Sequence, residues 1–110
     1  MDTRIRFKGG RIFKNRIIKT TDEVVMVPPP SNGKYYSTEE LSAFIGGGLP
    51  EIVGFSRSAY MVVDDNFRAK ALPFNAAASW IYAPVSVRQG GYSTYPIRGD
   101  VALIARDQIL

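Results

Sequence analysis

The side chains that carry most enzyme chemistry are missing from this 110-residue sequence, which has no histidine and no cysteine. Imidazole acid–base catalysis, thiolate nucleophiles and the commonest zinc-ligand sets go with them. Carboxylate and Ser/Lys chemistry remain. Asp64 and Asp65 are adjacent; on a strand they would point to opposite faces and could share neither a proton nor a metal. A solvated Asp64-Asp65-Asn66 turn with Asx-type hydrogen bonds is the simpler reading, and Asp100 joins the pair only if tertiary folding brings it there. Ser37, Ser56, Ser58 and Ser79 stand in no nucleophile-elbow pattern. Gly46-Gly47-Gly48 follows a helix pattern, whereas a phosphate cradle places its glycines ahead of a helix N-terminus, so these glycines read as a helix stop. The expectation is a protein that is not an enzyme, uses no cofactor or metal, and works by binding.

Charge says where binding would concentrate. The chain carries a net +4, but residues 1–19 hold seven cations (Arg4, Arg6, Lys8, Arg11, Lys14, Arg16, Lys19) against Asp2, a local net of +6. Residues 20–110 hold seven cations against nine anions, a local net of −2. Such asymmetry points to an acidic partner for the basic arm. Alternation puts Arg4, Arg6 and Lys8 on one face of a strand, with Arg11 beyond the Gly9-Gly10 turn. That ribbon suits nucleic-acid phosphates or the phosphates of a small nucleotide; the plainer alternative is an edge ribbon whose charges deter aggregation. Arg88, Tyr92, Tyr95 and Arg98 gather aromatic and guanidinium groups around a Gly/Ser/Thr/Pro loop, a composition suited to nucleobase or protein recognition. Asn75 reads first as a helix cap, a role compatible with an anion at the same helix start. The candidate ligand-binding residues are therefore Arg4, Arg6, Lys8, Arg11, Asn75, Arg88, Tyr92, Tyr95 and Arg98.

The elements that must position these groups are short. Residues 3–8 and 11–14, separated by Gly9-Gly10, read as a β-hairpin. Asn15-Arg16 interrupts the second run, and residues 23–27 form a further strand closed by Pro28-Pro29-Pro30. Ser37 followed by Glu40 is a capping box that opens a helix with Leu41, Phe44 and Ile45 on one face. Residues 51–55 and 59–63 are β-prone runs either side of Ser56-Arg57-Ser58, and residues 68–71 read as a short return strand. Asn75 opens a second helix with Ala77, Trp80 and Ile81 facing inward, ended by Pro84; residues 84–96 read as loop. Residues 101–105 are almost continuously apolar, as in a central strand buried on both faces. The fold expected is α+β: a small, mostly antiparallel sheet with two short helices and an N-terminal β-hairpin.

From residue 37 onward the order of motifs resembles a small domain family of unknown function, common in phages, prophages and mobile elements. The residues concerned are Leu41-Ser42-Ala43-Phe44-Ile45-Gly46-Gly47 with Pro50-Glu51-Ile52-Val53, then Met61-Val62-Val63-Asp64-Asp65. Leu72-Pro73-Phe74-Asn75-Ala76-Ala77-Ala78 and Gly99-Asp100-Val101-Ala102-Leu103-Ile104 complete the series. Two positions depart from the pattern: Gly48-Leu49-Pro50 stands where an aromatic more often precedes the Glu, and Asp65 replaces a Glu. The resemblance covers about residues 37–107 and implies a phage-type accessory protein.

The organisation expected is one domain over 1–110, with a basic hairpin plus strand at 1–27 and a family-like core at 37–110. No apolar run is long enough to span a bilayer and the first ten residues contain no signal-peptide h-region, so no membrane association is expected. Without cysteine the chain reads as cytoplasmic, in the host cell if phage-encoded. A modest core makes a homo-oligomer natural. The leading expectation is a phosphate-bearing small-molecule ligand, with sequestration of a small nucleotide immune signal favoured. A DNA- or RNA-binding protein using the basic hairpin is the second reading. A protein-interaction module that inhibits a host factor or serves as a virion component is the third.

Overall fold

The computed structural model describes residues 13–90 and 96–110. The hairpin expected over 3–14 falls almost wholly outside them. The described strands β1 (Arg16–Ile18), β2 (Val24–Met26), β3 (Pro50–Gly54), β4 (Ala59–Asp64) and β5 (Val101–Ala105) form one antiparallel sheet in the order β2-β1-β5-β4-β3. Helices α1 (Thr38–Phe44) and α2 (Ala76–Arg88) complete an α+β fold.

β5 occupies the middle of the sheet, as its unbroken apolar run requires, and Val101, Ala102, Leu103 and Ile104 are all fully buried. Alternation along the strand divides them between two clusters. Val101 and Leu103 pack with Met61, Val63, Ala78, Tyr82 and Val85 on the α2 face. Ala102 and Ile104 pack with Val62, Tyr36, Leu41 and Ile45 on the α1 face. One helix thus covers each face.

Asn15-Arg16 does not interrupt a strand, because Arg16 begins β1 and pairs with Leu103 on one side and Met26 on the other. Asn15 continues the join through its side chain. Its Oδ1 accepts from the Ala105 N–H at 2.8 Å and its Nδ2 donates to Tyr36 Oη and Gln108 Oε1. Tyr36 in turn donates to the Pro28 carbonyl at 2.6 Å.

α1 begins as the capping box dictates. Ser37 Oγ accepts from the Glu40 N–H, and the Glu40 carboxylate accepts from the Ser37 N–H. It ends in a Schellman motif: Gly47 N–H reaches the Ser42 carbonyl and Gly46 N–H the Ala43 carbonyl, with φ near +91° at Gly46 and +100° at Gly47. Gly48 has a different reason. A Cβ there would lie 2.0 Å from Asp64 Oδ2, so glycine lets the loop close over that carboxylate.

Residues 68–71 form no return strand. Successive turns run from Asp65 to Ala71, with Lys70 N–H bonded to Asn66 O and Ala71 N–H to Arg68 O. Asp64 organises them, since Oδ1 accepts from the Asn66 N–H and Oδ2 from Lys70 Nζ at 2.7 Å. A strand pattern over four residues cannot compete with a buried carboxylate that draws both groups back towards itself.

α2 is longer than expected and turns Trp80 outward, while Ala77 and Ile81 pack against the core as expected. It runs through Pro84 to Arg88 and is closed by Gly90 at φ +83°. Pro84 is exposed, so the bond its missing N–H forfeits lies on the solvent side. Burial of Val85 and Ser86 holds the last turn on the sheet. The inward face is Ala78, Ser79, Tyr82, Val85 and Ser86, while Trp80 is 82% exposed. Because apolar residues occur on every side of the helix, hydrophobic periodicity could not choose the face. Ser79 chooses it, with Oγ donating to Asn75 O and accepting from the Ile97 N–H at 2.8 Å.

Burial of the Asp64 carboxyl opposes its charge, yet the hydrogen bond from Lys70, the Asn66 N–H and the Lys70 charge outweigh it and hold the group below the ordinary aspartate range. Its folded pKa lies under the unfolded value of about 3.9, so this stabilisation is complete above that value and is lost as pH falls through the folded pKa. Urea unfolding followed from neutral pH into acid is expected to show that loss, and Lys70→Met to abolish this site's share of it. An unchanged acid limb in Lys70→Met would show that Lys70 does not set the Asp64 titration. Gly48→Ala is expected to cost about 1–3 kcal/mol at neutral pH, because its methyl displaces the same carboxylate. Chemical denaturation reads that difference directly.

Candidate functional site

Arg57, Arg88 and Arg106 come from three separate segments and line one cleft. Arg57 sits in the turn between β3 and β4. Arg88 is the last residue of α2, and Arg106 follows β5 directly. The pairing of Ala59 with Ala105 places Arg106 beside that turn, where its N–H donates to the Ser58 carbonyl. The open cleft has a volume of about 490 Å³ and is completed by Gly54, Phe55, Ser56, Val85 and Gln89. Among the described residues no carboxylate lines it.

Contacts within the fold hold Arg106 in place. Its guanidinium lies over the Tyr60 ring at 4.3 Å, and its Nε donates to the Ser56 carbonyl at 2.7 Å. Ser56 shapes the turn from within, its Oγ accepting from the N–H groups of Ser58 and Ala59. Among the described residues none of the three arginines forms an ion pair. Arg88 also faces the α2 carbonyl end, where a cation is favourable.

Of the residues expected to bind a ligand, only Arg88 is at this cleft. Arg98 is partly buried and donates to the Leu72 carbonyl at 3.0 Å, beside the bridge between Phe74 and Arg98. Asn75 is fully buried. Its Oδ1 accepts from the Ala78 N–H as the α2 cap, while Nδ2 donates to Ile18 O and Gly99 O, both at 2.9 Å. That amide has no surface to offer a ligand and acts as a cap and a lock. Arg4, Arg6, Lys8, Arg11, Tyr92 and Tyr95 lie outside the described residues. Of the other cations in the basic arm, Lys19 pairs with Asp100 at 3.5 Å and Arg16 lies over the Phe13 ring at 5.2 Å.

Arg57 and Arg106 were not singled out by sequence. The signal existed in weak form: a single arginine between two serines in a tight turn, and another immediately after the central strand. Only the β4–β5 register joins them. Among the described residues no group of three or more acidic side chains gathers as a metal site, and no helix is long and apolar enough to cross a membrane.

No family model, curated protein or solved structure matches this chain.

Asn75→Asp tests the lock. The substitution preserves shape and cap but sets an acceptor against two buried carbonyls that had donors, at an expected cost of about 3–5 kcal/mol. Denaturant unfolding of the two proteins measures it; a cost under about 1 kcal/mol would show that the two carbonyls find other donors.

Proposed function

We propose that this protein is a non-catalytic binding protein whose ligand carries phosphate and docks in the cleft of Arg57, Arg88 and Arg106. The observation behind the reading is that three arginines line one cleft with no acidic residue among the described residues of its lining. Like charges gathered in a concave surface repel, and an anion relieves that repulsion while accepting forked hydrogen bonds from arginine. The cleft lies within the range of about 300–1,000 Å³ typical of small-molecule sites. Phe55 and the arginine planes add surfaces on which a nucleobase can stack. Sequestration of a small nucleotide by a phage-type accessory protein is the specific form we favour, resting on the motif resemblance of residues 37–107.

The local net charge of +6 over residues 1–19 favours a second reading, in which the basic arm follows a nucleic-acid polymer. The two separate in one series of measurements. Thermal unfolding is followed with inorganic phosphate, mononucleotides and cyclic dinucleotides, and then with long duplex DNA and single-stranded RNA. A small-nucleotide site raises Tm with one class of small ligand, releases it unhydrolysed, and loses at least about tenfold in affinity in Arg57→Glu or Arg88→Glu. No stabilisation across the small-ligand panel would overturn the proposal. Binding only to polymers, steeply salt-dependent and abolished by charge reversal of Arg4, Arg6, Lys8 and Arg11, would establish the polymer reading instead.

A further inference from the structure

Arg57, Arg88 and Arg106 reach the cleft from a turn, from a helix end and from the residue after β5. All three are exposed, and among the described residues none has an acidic partner. Tyr60 lies beneath Arg106, and Asp107, next in the chain, is exposed and is not among the residues described in the lining. Arg106 already uses its Nε on the Ser56 carbonyl, which leaves its Nη groups as donors towards a ligand. A ligand with one negative charge therefore leaves two of the three arginine charges unmatched.

Resting on the phosphate reading of this cleft, we propose that the group it takes is the terminal phosphate monoester of a nucleotide, in its doubly charged form. A phosphodiester carries a single charge and is substituted on two sides of the phosphorus. A terminal monoester carries close to two charges and presents three acceptor oxygens. Donors supplied by three separate segments suit an end group open on three sides, and arginine forks are strongest against doubly charged oxyanions. The cleft is open, so the phosphate enters by its end while the nucleoside lies along Phe55 and Val85, the apolar part of the lining. Internal and cyclic phosphodiesters lack such an end group and bind less well.

The chain itself makes this selectivity readable by pH. It has no histidine and no cysteine, the side chains whose ordinary pKa values lie nearest neutrality. A phosphate monoester gains its second charge near pH 6, so binding is expected to follow the ligand's titration. Asp64 is held below the ordinary aspartate range, so its pair with Lys70 persists in mild acid.

Equilibrium dialysis at constant ionic strength compares the ribonucleoside 5′-monophosphates with their phosphate methyl esters, their 3′,5′-cyclic forms and ribose 5-phosphate. At least one monophosphate is expected to bind about tenfold more tightly at pH 7 than at pH 5. Its methyl ester and cyclic form are expected to bind at least about tenfold more weakly at pH 7, with no pH dependence. Ribose 5-phosphate is expected to follow the same pH profile with lower affinity. Arg57→Gln and Arg88→Gln, both at exposed positions, are expected to narrow the gap between monoester and diester while keeping the wild-type circular dichroism spectrum. A monoester that binds no better than its diesters, or with affinity flat in pH, overturns the inference and leaves the phosphate reading intact. A pH response shared by the methyl ester belongs to the protein and overturns it as well, as does a gap unchanged in both variants. Ribose 5-phosphate binding as tightly as the nucleotide overturns the nucleotide assignment. Absence of binding by every compound overturns the phosphate reading together with this inference.

Discussion

One buried amide holds three distant parts of this chain together. Asn75 caps α2 through Oδ1 and, through Nδ2, joins the end of β1 to the residue before the β5 approach. Ile18 and Gly99 are 57 and 24 positions away in sequence. The backbone reinforces the crossing, since Asn75 N–H bonds to Ile97 O and Gly99 N–H to Pro73 O. A side chain with fewer donors could cap the helix, but only an amide caps and also satisfies two carbonyls. The position of α2 on the sheet follows from it.

That anchoring explains the unusual orientation of the helix. Ser79, four residues after Asn75, bonds to the Asn75 carbonyl and to the Ile97 backbone, so the polar side of the first turn is directed inward. With the first turn fixed, helical geometry carries Tyr82, Val85 and Ser86 to the sheet and Trp80, Pro84 and Val87 away from it. A hydrogen-bonded anchor has outweighed the burial of the largest apolar side chain in the helix. The exposed apolar surface is the consequence.

The arginine cleft depends on the same frame at its other end. α2 carries Arg88 to the sheet margin, and the β4–β5 register brings Arg106 beside the turn that contains Arg57. Tyr60 and the Ser56 carbonyl then fix the Arg106 guanidinium. For the phosphate-bearing ligand proposed above, that immobilisation would lower the ordering entropy of binding, the way preorganisation adds affinity without adding contacts.

Local chemistry in the sequence was enough to specify several elements. The Ser37/Glu40 capping box, the glycine stop after α1, the Asn75 cap and the unbroken apolar run of β5 each act over a few residues, so each was legible without knowing the fold. Where the deciding interaction was long-range, local pattern misled. Residues 68–71 alternate like a strand but turn back to Asp64, a contact only six positions long that alternation does not register. The run from Ala76 to Val87 has apolar residues on every side, and its face was set by bonds to Ile97 and Ile18. Asn15, which reads as an interruption, caps the end of β5. The absence of histidine and cysteine was a property of sequence alone, and it removed whole classes of chemistry at once. The meeting of Arg57, Arg88 and Arg106 was a property of tertiary structure alone, because residues 31 and 18 positions apart become neighbours only through strand register and helix placement.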